Sequence, residues 1–112
     1  MNTAVISGRL VRDAMANGAD RTAVQFTIAA KYGYNATTKE DRVEFVPCVI
    51  FNPSDALNER LVNAGKGTFV EFEGRVASSS YQKNGATVYT TNIVVNNRTF
   101  TIVTTPERLP LE

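Results

Sequence analysis

Nine residues in the middle of the chain, Val43-Glu44-Phe45-Val46-Pro47-Cys48-Val49-Ile50-Phe51, limit what the rest can become. β-Branched and aromatic side chains dominate the run, which favours a pleated strand over a helix. Strand side chains alternate between faces, so Val46, Cys48 and Ile50 point one way and Phe45, Val49 and Phe51 the other. One apolar face closes a core. The other needs a second sheet, another subunit or a ligand with flat rings.

The sequence before this run reads as two strands. In Asn2 to Arg12, Ala4, Ile6, Gly8 and Leu10 share one face, and Val5, Ser7, Arg9 and Val11 share the other. Gly8 in mid-strand marks a bend or a close backbone approach, as at the corner of a small barrel. Asp13 to Arg21, with Asn17-Gly18, reads as a loop or reversal. Ala23 to Lys31 is the cleanest strand, with Val24, Phe26 and Ile28 inward and Gln25, Thr27 and Lys31 outward. Between Tyr32 and Arg42 the pattern dissolves into Gly, Asn, Thr and charges, the mark of a loop or hairpin arm.

After the central strand, Asn52-Pro53-Ser54-Asp55 is a helix start: a cap, an early proline and an acid in the first turn. Leu57, Leu61 and Ala64 form its apolar stripe, and Gly65 or Gly67 ends it. Thr68 to Ser79 is a fourth strand, with Val70, Phe72, Gly74 and Val76 inward and Phe69, Glu71, Glu73, Arg75 and Ala77 outward. Gln82-Lys83-Asn84-Gly85 is a hairpin turn, Thr87 to Val95 a fifth strand, and Thr99 to Val103 its extension past the Asn96-Asn97 break. Residues 1–103 are expected to form one domain and residues 104–112 a short flexible tail. The fold class is therefore all-β: a five-stranded Greek-key barrel with one short α-helix between strands 3 and 4. This is the oligonucleotide/oligosaccharide-binding (OB) architecture.

Composition narrows the chemistry. There is no histidine, which removes the commonest general base and the commonest metal ligand together. Acids are scattered singly, not at the spacing of a loop that ligates metal. A lone cysteine, Cys48, sits in an apolar strand and reads as a buried, inert thiol. Twelve Lys and Arg against eleven acids leave a net charge of +1, so the total decides nothing and any cationic track must be local. No apolar run approaches the roughly 20 residues of a membrane-spanning helix, and the N-terminus lacks a signal-peptide pattern.

Several segments, in their order and spacing, resemble the bacterial and phage single-stranded DNA-binding (SSB) proteins over roughly residues 2–103. They are Asn2-Thr3-Ala4-Val5-Ile6-Ser7-Gly8-Arg9-Leu10, Thr22-Ala23-Val24-Gln25-Phe26-Thr27-Ile28-Ala29, Phe45-Val46-Pro47-Cys48-Val49-Ile50-Phe51, the Gly67 to Arg75 stretch containing Glu73-Gly74-Arg75, and Tyr89-Thr90-Thr91. In that family aromatic rings on the exposed barrel face and hairpins stack on bases. Matched by position, those rings are Tyr34, Phe45, Phe51 and Tyr81. Arg9, Arg12, Lys31, Arg42, Lys66, Arg75 and Lys83 lie near them and are candidates for phosphate contact. The resemblance implies a cytoplasmic protein that assembles as a homotetramer, or a dimer, and protects single-stranded DNA in replication, recombination and repair. It implies no enzymatic activity, cofactor or metal.

The departures from the family pattern are informative. Asp13-Ala14-Met15-Ala16 lacks the Asp-Pro and Arg-Tyr usual after the first strand, and Ser78-Ser79-Ser80 stands where relatives often carry Arg or Lys. Tyrosine or phenylalanine replaces the usual tryptophans. The acidic, Phe-terminated tail is missing, so partners that dock through it are not expected. Two other readings compete. A primosome-type or protein-interaction barrel would use the outer apolar face for a partner. A carboxylate-dependent hydrolase would use Glu71 and Glu73, which share a strand face, although acids two apart on an exposed face are most often solvated.

Overall fold

The computed structural model describes residues 1–17 and 23–104. In order, these form β1 (Ala4–Leu10), β2 (Met15–Asn17), β3 (Ala23–Asn35), β4 (Glu40–Phe51), α1 (Asp55–Ala64), β5 (Phe69–Lys83), β6 (Ala86–Val95) and β7 (Thr101–Thr104). Five of them close a ring, β1-β3-β4-β6-β5 and back to β1, with β2 added to β3 and β7 to β5. The β4–β6 seam is parallel and the β1–β5 closure antiparallel. This is the expected Greek-key barrel, with its helix between the third and fourth ring strands.

Closure depends on two glycines at the corners. β1 pairs with β5 from Ala4 to Arg9 and passes to β3 at Arg9 and Leu10. At that crossing a Cβ on Gly8 would sit 2.5 Å from the Ala29 carbonyl oxygen. Gly74 pairs with both Ala4 and Val95, where β5 exchanges β1 for β6, and a Cβ there would run into the Val94 carbonyl. Side chains at either site would force the strands apart.

The inward residues Leu10, Val24, Phe26, Ile28, Ile50, Val70, Phe72, Ile93 and Val95 fill the barrel. Leu61 of α1 is sealed among them, so the helix plugs one end. Ser54 caps that helix by accepting a hydrogen bond from the Leu57 amide (3.1 Å), and Gly65 (φ 81°) terminates it. Cys48 is buried, as its setting implied, and burial pushes its thiol pKa up to about 12. A thiol kept protonated in the core is a poor nucleophile near neutral pH.

Some sequence readings are sharpened and others corrected. Tyr32 to Arg42 is the hairpin arm and not the loop: β3 runs to Asn35 and β4 resumes at Glu40. Cross-strand pairing carries both strands out of the barrel, and the Asn35 carboxamide oxygen accepts from the Thr37 and Thr38 amides to close the turn. β5 likewise runs to Lys83, and Asn84 and Gly85 take the two positive φ angles (53° and 80°) of a tight hairpin. Val76, read as inward, is 45% exposed, because β5 has left the barrel beyond Gly74 and has no core to face. Within Asp13–Arg21, residues 15–17 form a strand against β3, and Ala14 is buried in the core.

Thr99 to Val103 extends β6 past a break, as its pattern suggested: after a turn at Asn96–Thr99, β7 continues along β5 in the same antiparallel sense, Thr101 opposite Glu71 where Val95 lies opposite Gly74. Phe100, beside that turn, joins Phe26 and Phe72 in an aromatic trio with ring centroids 5.7–6.0 Å apart. The Asn17-Gly18 turn and the tail beyond Thr104 fall at least partly outside the described residues.

Candidate nucleic-acid interface

The outer face of β3 and β4 carries the first two candidate rings. On β4 the inner residues Cys48 and Ile50 are 2% and 0% exposed, while Phe45 and Phe51 are 67% and 49% exposed. Their partners across the strand pair are Ala29 and Ala23. Residues paired in an antiparallel ladder share a face, so each ring stands beside a methyl group and keeps its π-surface open. Val49 lies between them on the same face but is only 8% exposed, flanked by Gln25 of β3 and Val94 of β6. It is floor, not platform. Six residues of strand separate Phe45 from Phe51, roughly 20 Å, too far for two adjacent stacked bases to reach both rings.

Tyr34 reaches this face through a bulge. Simple alternation along β3 would put Tyr34 on the side of Phe26 and Ile28. The register slips between Lys31 and Gly33, leaving Tyr32 as the extra residue, so Tyr34 pairs with Asp41 and joins Lys31, Val43 and Phe45. A bulge re-aims the side chains beyond it in this way. Tyr81 comes from the second arm. The β5–β6 register is unbroken from Gly74 to Lys83, which places Arg75, Ala77, Ser79, Tyr81 and Lys83 on one continuous outer face. The two surfaces meet at a recess of about 160 Å³ whose lining includes Arg12, Gln25, Thr27, Pro47 and Asn92.

The candidate cations fall into distinct groups. Arg12 edges the recess between the arms. Arg9 and Lys31 share a groove of about 400 Å³ with Ala29, Val43 and Phe69. Both are already engaged: Arg9 Nη1 donates to the Gly67 carbonyl (2.9 Å) with its guanidinium 5.4 Å from the Phe69 ring centroid, and Lys31 Nζ lies 3.0 Å from Asp41. Arg75 continues the Tyr81 face, and Lys83 sits beside the hairpin tip. Lys66 follows α1, its backbone amide held by Asp13 Oδ1 (2.9 Å). Arg42 pairs with Gly33, on the reverse of the arm from Tyr34 and Phe45. It is not brought together with the rings.

Three features went unread in the sequence. Tyr89 is exposed on the opposite side of the β5–β6 hairpin from Tyr81, and Met15 is exposed on β2 beside the recess. Asn97, in a segment that read only as a break, donates from Nδ2 to the carbonyls of Phe51 (3.0 Å) and Asn52 (3.3 Å). Glu71 and Glu73 are both exposed. Among the described residues no group of three His, Cys, Asp or Glu could hold a metal ion.

The family model described as the single-strand binding protein family matches residues 1–101. A single-stranded DNA-binding protein of Staphylococcus epidermidis is 27% identical over 101 residues, covering 89% of this chain and 76% of that one. Among solved structures, the Plasmodium falciparum SSB complex with ssDNA is similar in fold. Its TM-score is 0.65 at 15% identity, covering 90% of this chain and 91% of that one.

Proposed function

The chain belongs to the single-strand binding protein family, and from that premise we propose that it binds single-stranded DNA by stacking unpaired bases on Tyr34, Phe45, Phe51 and Tyr81. The observation that carries this reading is the pair of open phenylalanine rings beside Ala29 and Ala23, on a strand whose inner face is sealed in the core. Every base has a π-face, so such platforms tolerate any sequence and contribute about 1–3 kcal/mol per stacked base. Duplex DNA is refused because its bases are already stacked on one another.

Phosphate contact is assigned first to Arg12, Arg75 and Lys83, which share the surfaces of the rings. Arg9 and Lys31 must first give up Gly67 and Asp41. With the cations near the rings partly engaged, stacking carries more of the affinity than counterion release. No catalytic step belongs to this role, which is the protection of single strands during replication, recombination and repair in the cytoplasm.

Self-association, as a homotetramer or a dimer, goes with this reading. From Ala4 to Gly8, β1 pairs with β5 alone, and its other edge is open to a second strand.

Titration of a fluorescein-labelled oligo-dT of about 35 nucleotides, longer than the site of one such barrel, tests the proposal against a matched duplex at low and high salt. The expected result is tight binding of dT, none of duplex and a shallow salt dependence. Binding of neither would give the aromatic face to a protein partner.

A further inference from the structure

We infer that Asn97 is a positioning residue for Phe51, holding that ring in its stacking pose through the main chain. Parallel pairing of β4 with β6 covers only Cys48–Ile93 and Val49–Val94. Two residues later, Phe51 is paired on one side only, with Ala23 of β3. Immediately beyond it the backbone turns sharply, Asn52 taking a positive φ of 50° ahead of Pro53. A strand end with one partner and a strained neighbour is free to swing, and an exposed ring on it would swing too.

The Asn97 carboxamide substitutes for the missing ladder. Nδ2 donates to Phe51 O and Asn52 O, and it does so from an anchored base. The Asn96 amide donates to Glu73 O (2.8 Å), the Glu73 amide donates to Thr99 Oγ1 (2.9 Å), and the Arg98 amide donates to Asn96 Oδ1 (3.0 Å). The Asn96–Thr99 turn is thus bolted to β5 beside Arg75 and reaches across the end of β6 to clamp β4. Asn97 itself needs no contact with DNA. Its effect passes entirely through Phe51, which is what separates it from a general stabilising residue.

The inference rests on the reading that Phe51 stacks on a base, and two measurements keep the two ideas apart. The first is a double-mutant cycle on oligo-dT affinity. Asn97→Ala is expected to weaken binding about two- to tenfold, the net worth of one or two hydrogen bonds. The same loss is expected in the Phe45→Ala background, and none in the Phe51→Ala background. An equal loss in all three backgrounds would overturn the inference. If Asn97→Ala lowers the melting midpoint, Asn97→Asp, which keeps the shape and loses the donors, serves in the same cycle.

The second measurement uses no DNA. The chain has no tryptophan, so Phe51→Trp supplies a single reporter. Adding Asn97→Ala should increase the fast depolarisation of that indole, and unchanged anisotropy would refute the clamp. If the anisotropy changes while Phe51→Ala leaves DNA affinity intact, the stacking assignment of Phe51 has failed and the clamp has not.

Discussion

Ile50 and Phe51 are consecutive in β4, both apolar, yet one is sealed in the barrel and the other stands half in solvent. The inner face meets Phe26, Val24 and Ile93 through close packing. The outer face meets alanines, which leave its rings uncovered. Hydrophobicity alone would give both faces the same task. The difference lies in the neighbours: large residues consume an apolar surface, and small ones leave it available to a ligand.

Substitution on the two faces should therefore separate stability from binding. The largest expected effect is Ile50→Ala, which removes a fully buried side chain and should cost about 2–5 kcal/mol of folding stability in denaturant unfolding. Phe45→Ala should instead cost about 1–3 kcal/mol of oligo-dT affinity by fluorescence titration, with unfolding shifted by no more than about 0.5 kcal/mol. If Phe45→Ala destabilised the fold as Ile50→Ala does, the two faces would not differ in the way proposed.

The arms sharpen the contrast. Deleting Tyr32 removes the extra residue of the β3 bulge but leaves Gly33 opposite Arg42 and Tyr34 opposite Asp41, so Tyr34 should keep its place on the ring face. Affinity should change little in the deletion, and adding Tyr34→Ala to it should cost as much as Tyr34→Ala does alone. The smallest effects are those of charge. Arg12→Gln should reduce the salt slope of binding by about 0.7, the share of one phosphate on a single strand. Arg42→Gln, on the far side of the arm, should leave that slope unchanged. Equal losses would mean that DNA follows both sides of the arm.

Much of this was legible in the sequence because alternation survives wherever a strand has a core to face. Val24, Phe26 and Ile28 inward, the helix from Ser54 to Gly65, and Gly8 at a close approach all follow from local pattern. Local pattern stops being informative where the strands leave the barrel. Tyr32–Arg42 is polar and looped in composition, yet pairing with the opposite strand makes it β-structure. The parity of Tyr34 depends on a bulge, and one extra residue reverses every assignment beyond it. β7 was legible as a continuation of β6 because both run along β5 in one direction, interrupted only at the Asn96-Asn97 break. Asn97 carries no periodic signal at all; its role exists only once Phe51 has been folded to within 3.0 Å of it.

The most direct test combines both properties in one protein. The double variant Phe45→Ala/Phe51→Ala should be measured for oligo-dT binding and for thermal unfolding in the same buffer. The expected result is loss of single-strand binding with an essentially unchanged melting midpoint, since neither ring belongs to the core. Retained binding, or binding lost only together with the fold, would contradict the assignment of the outer face of β4 to DNA.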